Sequence, residues 1–303
     1  LNSTDISTNG TNQNLTAYNV STIDVDGDII KNIYNWNKNS TSITVLNMPF
    51  EGINGTTSNN AWDYSGYGND GTVSEATWSS SNGYDGKGAY EFDGGNDYIR
   101  LKNSSFPNGT MPRTMCAWAK TDTTGESYRW VASYGLGTTS NAMFIGLYGS
   151  TLYGGGYSDD ITSNNFWEEG VWKHVCLSYN GSKAFLYGDG SLLTSADKTW
   201  NLIQSQAYIG QQVGVGSSGG EYWDGVVDDV TIYNRSLSAE QVSALFNNRT
   251  DLMVSQETNV GENWTVEIIP NDGEVDGETK ISNDVIIING IPTQGTPILN
   301  TTL

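Results

Sequence analysis

Residues 223–246 read WDGVVDDVTIYNRSLSAEQVSALF. The first half alternates: Val227, Asp229 and Thr231 would face one side of a strand, and Asp228, Val230 and Ile232 the other. The second half carries a helix start. Ser238 stands at the N-cap position, Gln241 three residues on can close a capping box, and Leu237 and Val242 are spaced as a hydrophobic staple. A final strand with two consecutive carboxylates therefore hands the chain to one short helix.

Outside this stretch helical periodicity is almost absent. Strand-like runs recur between Gly, Asn, Asp and Ser turns, which makes the class all-β. The chain has 303 residues, enough for two domains, and 36% of them are hydrophobic. Aromatic residues make up 11%, mostly Tyr and Trp, which suit sheet faces and wet surfaces. Net charge is −20 although only 16% of residues are charged, so the imbalance reflects scarce Lys and Arg. No basic stripe exists to neutralise phosphates, which argues against nucleic-acid partners. Asp-rich turns could collect divalent cations; they could equally form a solvated acidic surface.

The middle of the chain carries an ordered set of segments: MPFEG (48–52), WDYSGYGNDGTV (62–73), SNGYDGKGAYEFDGGNDYIRL (81–101), TMCAWAK (114–120), VWKHVCLSYNGSKAFLYGDG (171–190) and AYIGQQ (207–212). Together with residues 223–246 this set resembles the laminin-G-like, concanavalin A-like lectin jelly rolls. The resemblance covers about two thirds of the chain, residues 45–250. It implies an antiparallel β-sandwich used in extracellular recognition or structure.

The flanks, residues 1–44 and 251–303, read as halves of one discontinuous Ig-like β-sandwich. NLTAYNVSTIDVDGD (14–28) and IIKNIYNWNKNSTSI (29–43) resemble its first strands, with Trp36 in the place of the core Trp. NWTVEIIPND (263–272) and DVIIIN (284–289) resemble its last strands, with Val266, Ile268, Val285 and Ile287 alternating. Neither half has enough strands to stand alone. A single sandwich hosting the jelly roll in a loop is the economical solution. The alternative is two incomplete sandwiches completed by neighbouring repeats through strand donation. The start LNST echoes the end LNTT, which follows the linker-like GIPTQGTP (290–297), as one unit of a tandem array would. With no initial Met, signal peptide or transmembrane run, the chain reads as a processed product or an excised segment.

Cys116 and Cys176 each lie in a strand-like run, so a disulfide between neighbouring strands competes with two buried thiols. Export also fits the sequons at Asn2, Asn9, Asn14, Asn19, Asn39, Asn54, Asn103, Asn108, Asn180, Asn234, Asn248, Asn263 and Asn300, although a chain this rich in Asn, Ser and Thr forms some by chance. The resemblance implies a structural calcium ion between Asp63, Asn69 and Asp228, with turn chemistry as the competing use of the first two. Asp229, on the other pleat face, is the weaker ligand. A second acidic group joins Asp24, Asp26 and Asp28 with Asn271, Asp272, Glu274 and Asp276, if both loops meet at one end of the Ig-like sandwich.

His174, the only histidine, reads as a packed strand residue. No strand offers the paired carboxylates a glycoside hydrolase needs, so a non-enzymatic protein is expected. Tyr128, Trp130, Tyr134, Tyr153, Tyr157, Phe166, Trp167, Tyr222 and Trp223 could stack on sugars or simply fill the core. The expected role is an extracellular, glycosylated structural unit of an archaeal or bacterial cell-surface layer, stalk or filament. Its partners would be copies of itself or adjacent repeats, possibly glycans, with no direct membrane insertion. The rival is a carbohydrate-binding adhesin.

Overall fold

The computed structural model describes residues 1–4, 9–52, 60–214 and 221–289. Two antiparallel sheets form a jelly-roll sandwich. The front sheet runs in the order Ile161–Ser163, Thr151–Gly155, Ala142–Tyr148, Tyr128–Gly135, Gln206–Ile209, Tyr98–Leu101, Gly71–Ser74 and Asn60–Ala61. The back sheet runs Ser191–Asp197, Lys183–Gly188, Trp172–Tyr179, Arg113–Thr121, Asp224–Tyr233, Ala89–Asp93 and Thr77–Ser79. One core fills the space between them. Val131, Met143, Ile145 and Leu147 come from the front; Met115, Ala117, Val175 and Leu177 come from the back. Alternating apolar residues on each strand supply this shared layer, as sheet-on-sheet packing requires.

The strand Asp224–Tyr233 departs from simple alternation at one place. Its residues 224–227 pair with Ala89–Asp93, and its residues 230–233 pair along the same edge with Thr44–Met48. Opposite Arg113–Thr121 the register slips where two residues, Asp229 and Val230, face Ala117 alone. Asp229 adopts φ 48°, a left-handed conformation, at this bulge. Val227 and Val230 therefore both enter the core, although strict alternation would separate them. The bulge also turns Asp229 away from the position that the pleat alone predicts.

The helix spans Ala239–Phe246, and Ser238 Oγ accepts from the Gln241 N–H at 3.2 Å as its N-cap. Leu237 and Val242 are both buried. Gln241 does not close the capping box; its side chain bridges Leu252 O and Val254 N. Glu257 takes over that role, accepting from the Ser238 N–H at 2.7 Å. A partner from the following segment satisfies the orphan donor as well as a local one would.

Both ends of the chain cover the outer side of the back sheet. Lys31–Lys38 pairs with Asn263–Asn271 along its whole length, flanked by Thr41–Ser42, Lys280–Ile281 and Val285–Ile286. A second small sheet joins Asn2–Ser3, Leu15–Thr16 and Leu252–Met253. Trp36, Trp264, Val266 and Val285 from this terminal layer pack with Cys116, Cys176, Tyr187 and Tyr233 of the back sheet and with Val242 of the helix. The Leu1 amino group bonds Asn283 Oδ1 at 2.9 Å, tying the start of the chain to its distal segment. The stretch 14–28, expected as strand, pairs only at Leu15–Thr16. Val20 and Val25 are each 96% exposed. Asp24 Oδ1 gathers the N–H groups of Asp26, Gly27 and Asp28, which commits that segment to a turn. Residues 290–303, with the linker-like run, lie outside the described residues.

Candidate functional site

The outer side of the front sheet carries an aromatic groove. Tyr128 and Trp130 alternate outward from one strand and stack in parallel, with centroids 5.8 Å apart. Phe144 comes from the next strand and meets Trp130 edge-on at 4.3 Å, and Tyr153 from the strand beyond meets Tyr128 at 5.5 Å. Tyr128, Trp130, Phe144, Tyr157, Asp160, Gln212 and Glu221 line an open groove of about 310 Å³. Glu221 Oε2 accepts from Trp130 Nε1 at 2.7 Å, which fixes the indole and aims the carboxylate along the groove. Asp160 Oδ1 is buried without a hydrogen-bond partner. Burial first, and the neighbouring Asp159 after it, raises its carboxyl above the usual range, although Lys198 pulls the other way. The chemistry on offer is flat apolar faces, for C–H stacking, beside oxygen acceptors for hydroxyl groups.

Of the nine aromatics flagged in the sequence, Tyr128, Trp130, Tyr153 and Tyr157 gather on this face. Tyr134, Trp167 and Trp223 fill the central core, and Phe166 packs against it. Tyr222 is buried, its hydroxyl accepting from Gln211 Nε2. Sequence reading missed Phe144, Asp160 and Gln212, whose place depends on strand register across the sheet.

The residues expected to hold calcium take part in the following hydrogen bonds. Asp63 Oδ1 accepts from the N–H groups of Asn47 and Ser65; its Oδ2 accepts from Ser65 Oγ and the Asn69 N–H. Asn69 donates through Nδ2 to Val45 O and Ser105 Oγ. Asp228 belongs to a different network, accepting from the N–H groups of Tyr84 and Asp229. Asp63 and Asp228 thus sit in separate hydrogen-bond networks, while Asn69 Oδ1 is buried without a hydrogen-bond partner. The second set divides likewise. Asp24 caps its own turn, with Asp26 and Asp28 supplying donors; Asp272 caps the next, accepting from Glu274 and Val275. Asp276 accepts from Tyr64 Oη and Asn271 Nδ2.

Asp229 instead pairs with Lys31, and Asp228 adds its field. Its Nζ lies 2.7 Å from Glu51 Oε1, 3.0 Å from Asp85 Oδ2 and 3.0 Å from Asp229 Oδ1. Burial opposes the Lys31 charge, yet Asp229, Asp228, Glu51 and Asp85 together outweigh it and hold the proton well above the ordinary lysine range. Burial, then repulsion from Asp229, raises the Asp228 carboxyl well above normal.

Cys116 and Cys176 stand opposite each other in the back sheet and form a disulfide. His174 is buried beside them, its Nε2 3.8 Å from Cys176 Sγ and its ring 5.2 Å from Trp118. Among the described residues this trio is the one His/Cys/Asp/Glu group close enough to share an ion, and the disulfide already consumes both sulfurs. Burial pushes the imidazole down to about 3, so it is neutral at ordinary pH, as a packed strand histidine should be.

Asn2, Asn19, Asn39, Asn108, Asn180 and Asn248 are exposed. Asn9, Asn14, Asn103, Asn234 and Asn263 are half-buried, and Asn103, Asn234 and Asn263 direct Nδ2 into bonds with Ser205 O, Ser42 O and Asp284 Oδ1. Asn54 and Asn300 lie outside the described residues.

A family model named Laminin_G_3, described as the concanavalin A-like lectin/glucanases superfamily, matches residues 93–243. No curated protein matches the chain. Among solved structures, a Trypanosoma rangeli sialidase in complex with difluorosialic acid is 16% identical with a TM-score of 0.53, over 69% of this chain and 33% of the sialidase. The binding domain of botulinum neurotoxin serotype G is 14% identical at a TM-score of 0.50, over 68% of this chain and 51% of that one. Domain 4 of AbnA, a GH43 extracellular arabinanase from Geobacillus stearothermophilus, in complex with arabinotriose, is 18% identical at 0.49, over 67% of this chain and 97% of that domain. This chain thus spans about a third of the sialidase and half of the toxin domain. At such identities the likeness is one of fold.

Proposed function

The central jelly roll of this chain belongs to the concanavalin A-like lectin/glucanase superfamily, and from that premise we propose that the protein binds carbohydrate through the outer side of its front sheet. The observation that carries this reading is the open groove in which the part-exposed rings of Tyr128 and Tyr157 lie over the buried Trp130, beside Asp160, Gln212 and Glu221. An apolar protein core would hide such rings; here Tyr128 remains 39% exposed. The role is recognition without bond cleavage. Exposed rings set the sugar plane, and the acidic and amide oxygens select hydroxyl orientation.

A glycan array probed with the full chain, followed by titration calorimetry, tests this. Binding should weaken at least about tenfold in Tyr128→Ala, in keeping with the loss of one stacked aromatic contact. Failure to bind any glycan, or equal binding by the Tyr128→Ala and Tyr157→Ala variants, would refute it.

The closure of both chain ends over the back sheet favours a second reading, an extracellular structural unit of a surface layer, stalk or filament. In that reading residues 1–44 and 251–303 form one discontinuous Ig-like domain around the insert, and exposed sequons such as Asn108 and Asn180 carry glycans. The disulfide suits an oxidising compartment. Among the described residues no helix is long and apolar enough to cross a membrane. Ordered assemblies of the purified chain in electron micrographs would support the structural role, and a strict monomer at high concentration would count against it.

A further inference from the structure

Lys31 enters the fold on the terminal layer, and its Nζ passes into a pocket of four carboxyl groups from the jelly roll: Glu51, Asp85, Asp228 and Asp229. One ammonium cannot neutralise four carboxylates, and surface ion pairs do not need so many. The pocket is also well enclosed. The Glu51 side chain is 1% exposed, and those of Lys31 and Asp85 are 15% exposed. Two features aim one carboxyl at the amine. The strand that carries Asp229 changes pairing partner there, and the bulge holds Asp229 at φ 48°. A bulge that re-aims a side chain toward a neighbouring group is a recurrent feature of functional sites.

We propose that Lys31 and Asp229 join through an amide bond between Nζ and Cγ, a covalent staple from the terminal layer to the jelly roll. The reactants already touch at 3.0 Å, so the fold supplies the high effective concentration that amide formation lacks in water. Glu51, at 2.7 Å from the same Nζ, is the proton relay. It takes one proton from the Lys31 ammonium and passes it to an Asp229 oxygen, which leaves the amine nucleophilic and the carboxyl electrophilic. The N–C bond then forms. One C–O bond breaks, and the departing oxygen takes a second proton from the nitrogen and leaves as water. Ammonium plus carboxylate become amide plus water, nothing is oxidised or reduced, and Glu51 is restored. The bond spans 198 residues of sequence and locks together the two layers that the disulfide, confined to the back sheet, leaves unlinked.

Intact-mass spectrometry of the full, denatured chain decides it. The expected mass is one water below that of the sequence, with a branched peptide linking Lys31 to Asp229. Lys31→Arg should have its full mass with an unchanged near-UV circular dichroism spectrum. Glu51→Gln should fold and also keep its full mass. Asp229→Asn should form the same bond by expelling ammonia, and so fall one ammonia below its own sequence mass. An unmodified wild-type mass after prolonged incubation overturns the proposal. So does a water deficit that maps to another pair, or one that persists in Lys31→Arg.

Discussion

The two outer faces of the jelly roll begin alike and end differently. Each carries a cluster of aromatic residues on outward-pointing strand positions. On the back sheet, Tyr233 lies beneath the terminal layer with Trp36 and Trp264, Trp118 is covered by Tyr84 and by Phe246 of the helix, and that surface has become an internal interface. On the front sheet, Tyr128 and Tyr157 stay open beside acidic and amide side chains. Outward aromatics on a sandwich are thus ambiguous by themselves. Whether they bind a partner depends on whether another part of the same chain claims them first.

The comparison can be broken most sharply on the covered side. Trp264→Ala removes a fully buried indole from the interface and should cost about 3–5 kcal/mol in denaturant unfolding. A loss under about 1 kcal/mol would mean the terminal layer is only loosely attached.

Removing the disulfide comes next. In the double variant Cys116→Ser/Cys176→Ser the loss should reach about 2–4 kcal/mol, with the fold retained because the strand ladder on which both residues sit persists. Reversible unfolding measured with and without reductant on the wild type should agree with that variant.

A pH-dependent effect tests how dry the covered face is. The folded His174 is lowered to about 3 while the unfolded one titrates near 6.5, so the unfolded state binds the extra proton. The stability it protects is fully present above pH 6.5 and is lost as pH falls toward 3, at about 1.4 kcal/mol per unit. Raised carboxyls at Glu51 and Asp228 act in the opposite direction, so the informative quantity is the difference between wild type and His174→Gln. Equal slopes in the two would show that water reaches the imidazole.

The smallest stability change belongs to the open face. Tyr128→Ala should shift unfolding by about 1 kcal/mol, through the lost ring contacts, while it weakens glycan binding. A large loss of stability would move Tyr128 from the binding surface to the core.

Much of this architecture was legible in one dimension. The strand and capped helix at residues 223–246 and the two strand-borne cysteines follow from local spacing, and the jelly roll follows from the resemblance that the ordered segments carry. The capping box shows where such reading stops: Ser238 caps as expected, but its second partner is Glu257, a residue outside the helix. Residues 14–28 show it again. Their apolar residues suggest a strand, yet the Asp24 turn wins and Val20 and Val25 face solvent.

The acidic sites were the least legible. Clustered Asp residues look the same in sequence whether they await a cation, cap turns or surround a lysine. Asp63, Asp24 and Asp272 cap turns, whereas Asp229 meets Lys31 from nearly two hundred residues away.

Alternation, turn residues and capping are short-range, so the sequence by itself determined the all-β class and the positions of the helix and cysteines, while its resemblance to a known family supplied the jelly roll. Tertiary structure alone decided which aromatic face stayed open, which carboxylates found donors, and that a bulge would turn Asp229 toward Lys31. Those outcomes depend on register and on competition among distant groups for the same surface, and no local pattern encodes either.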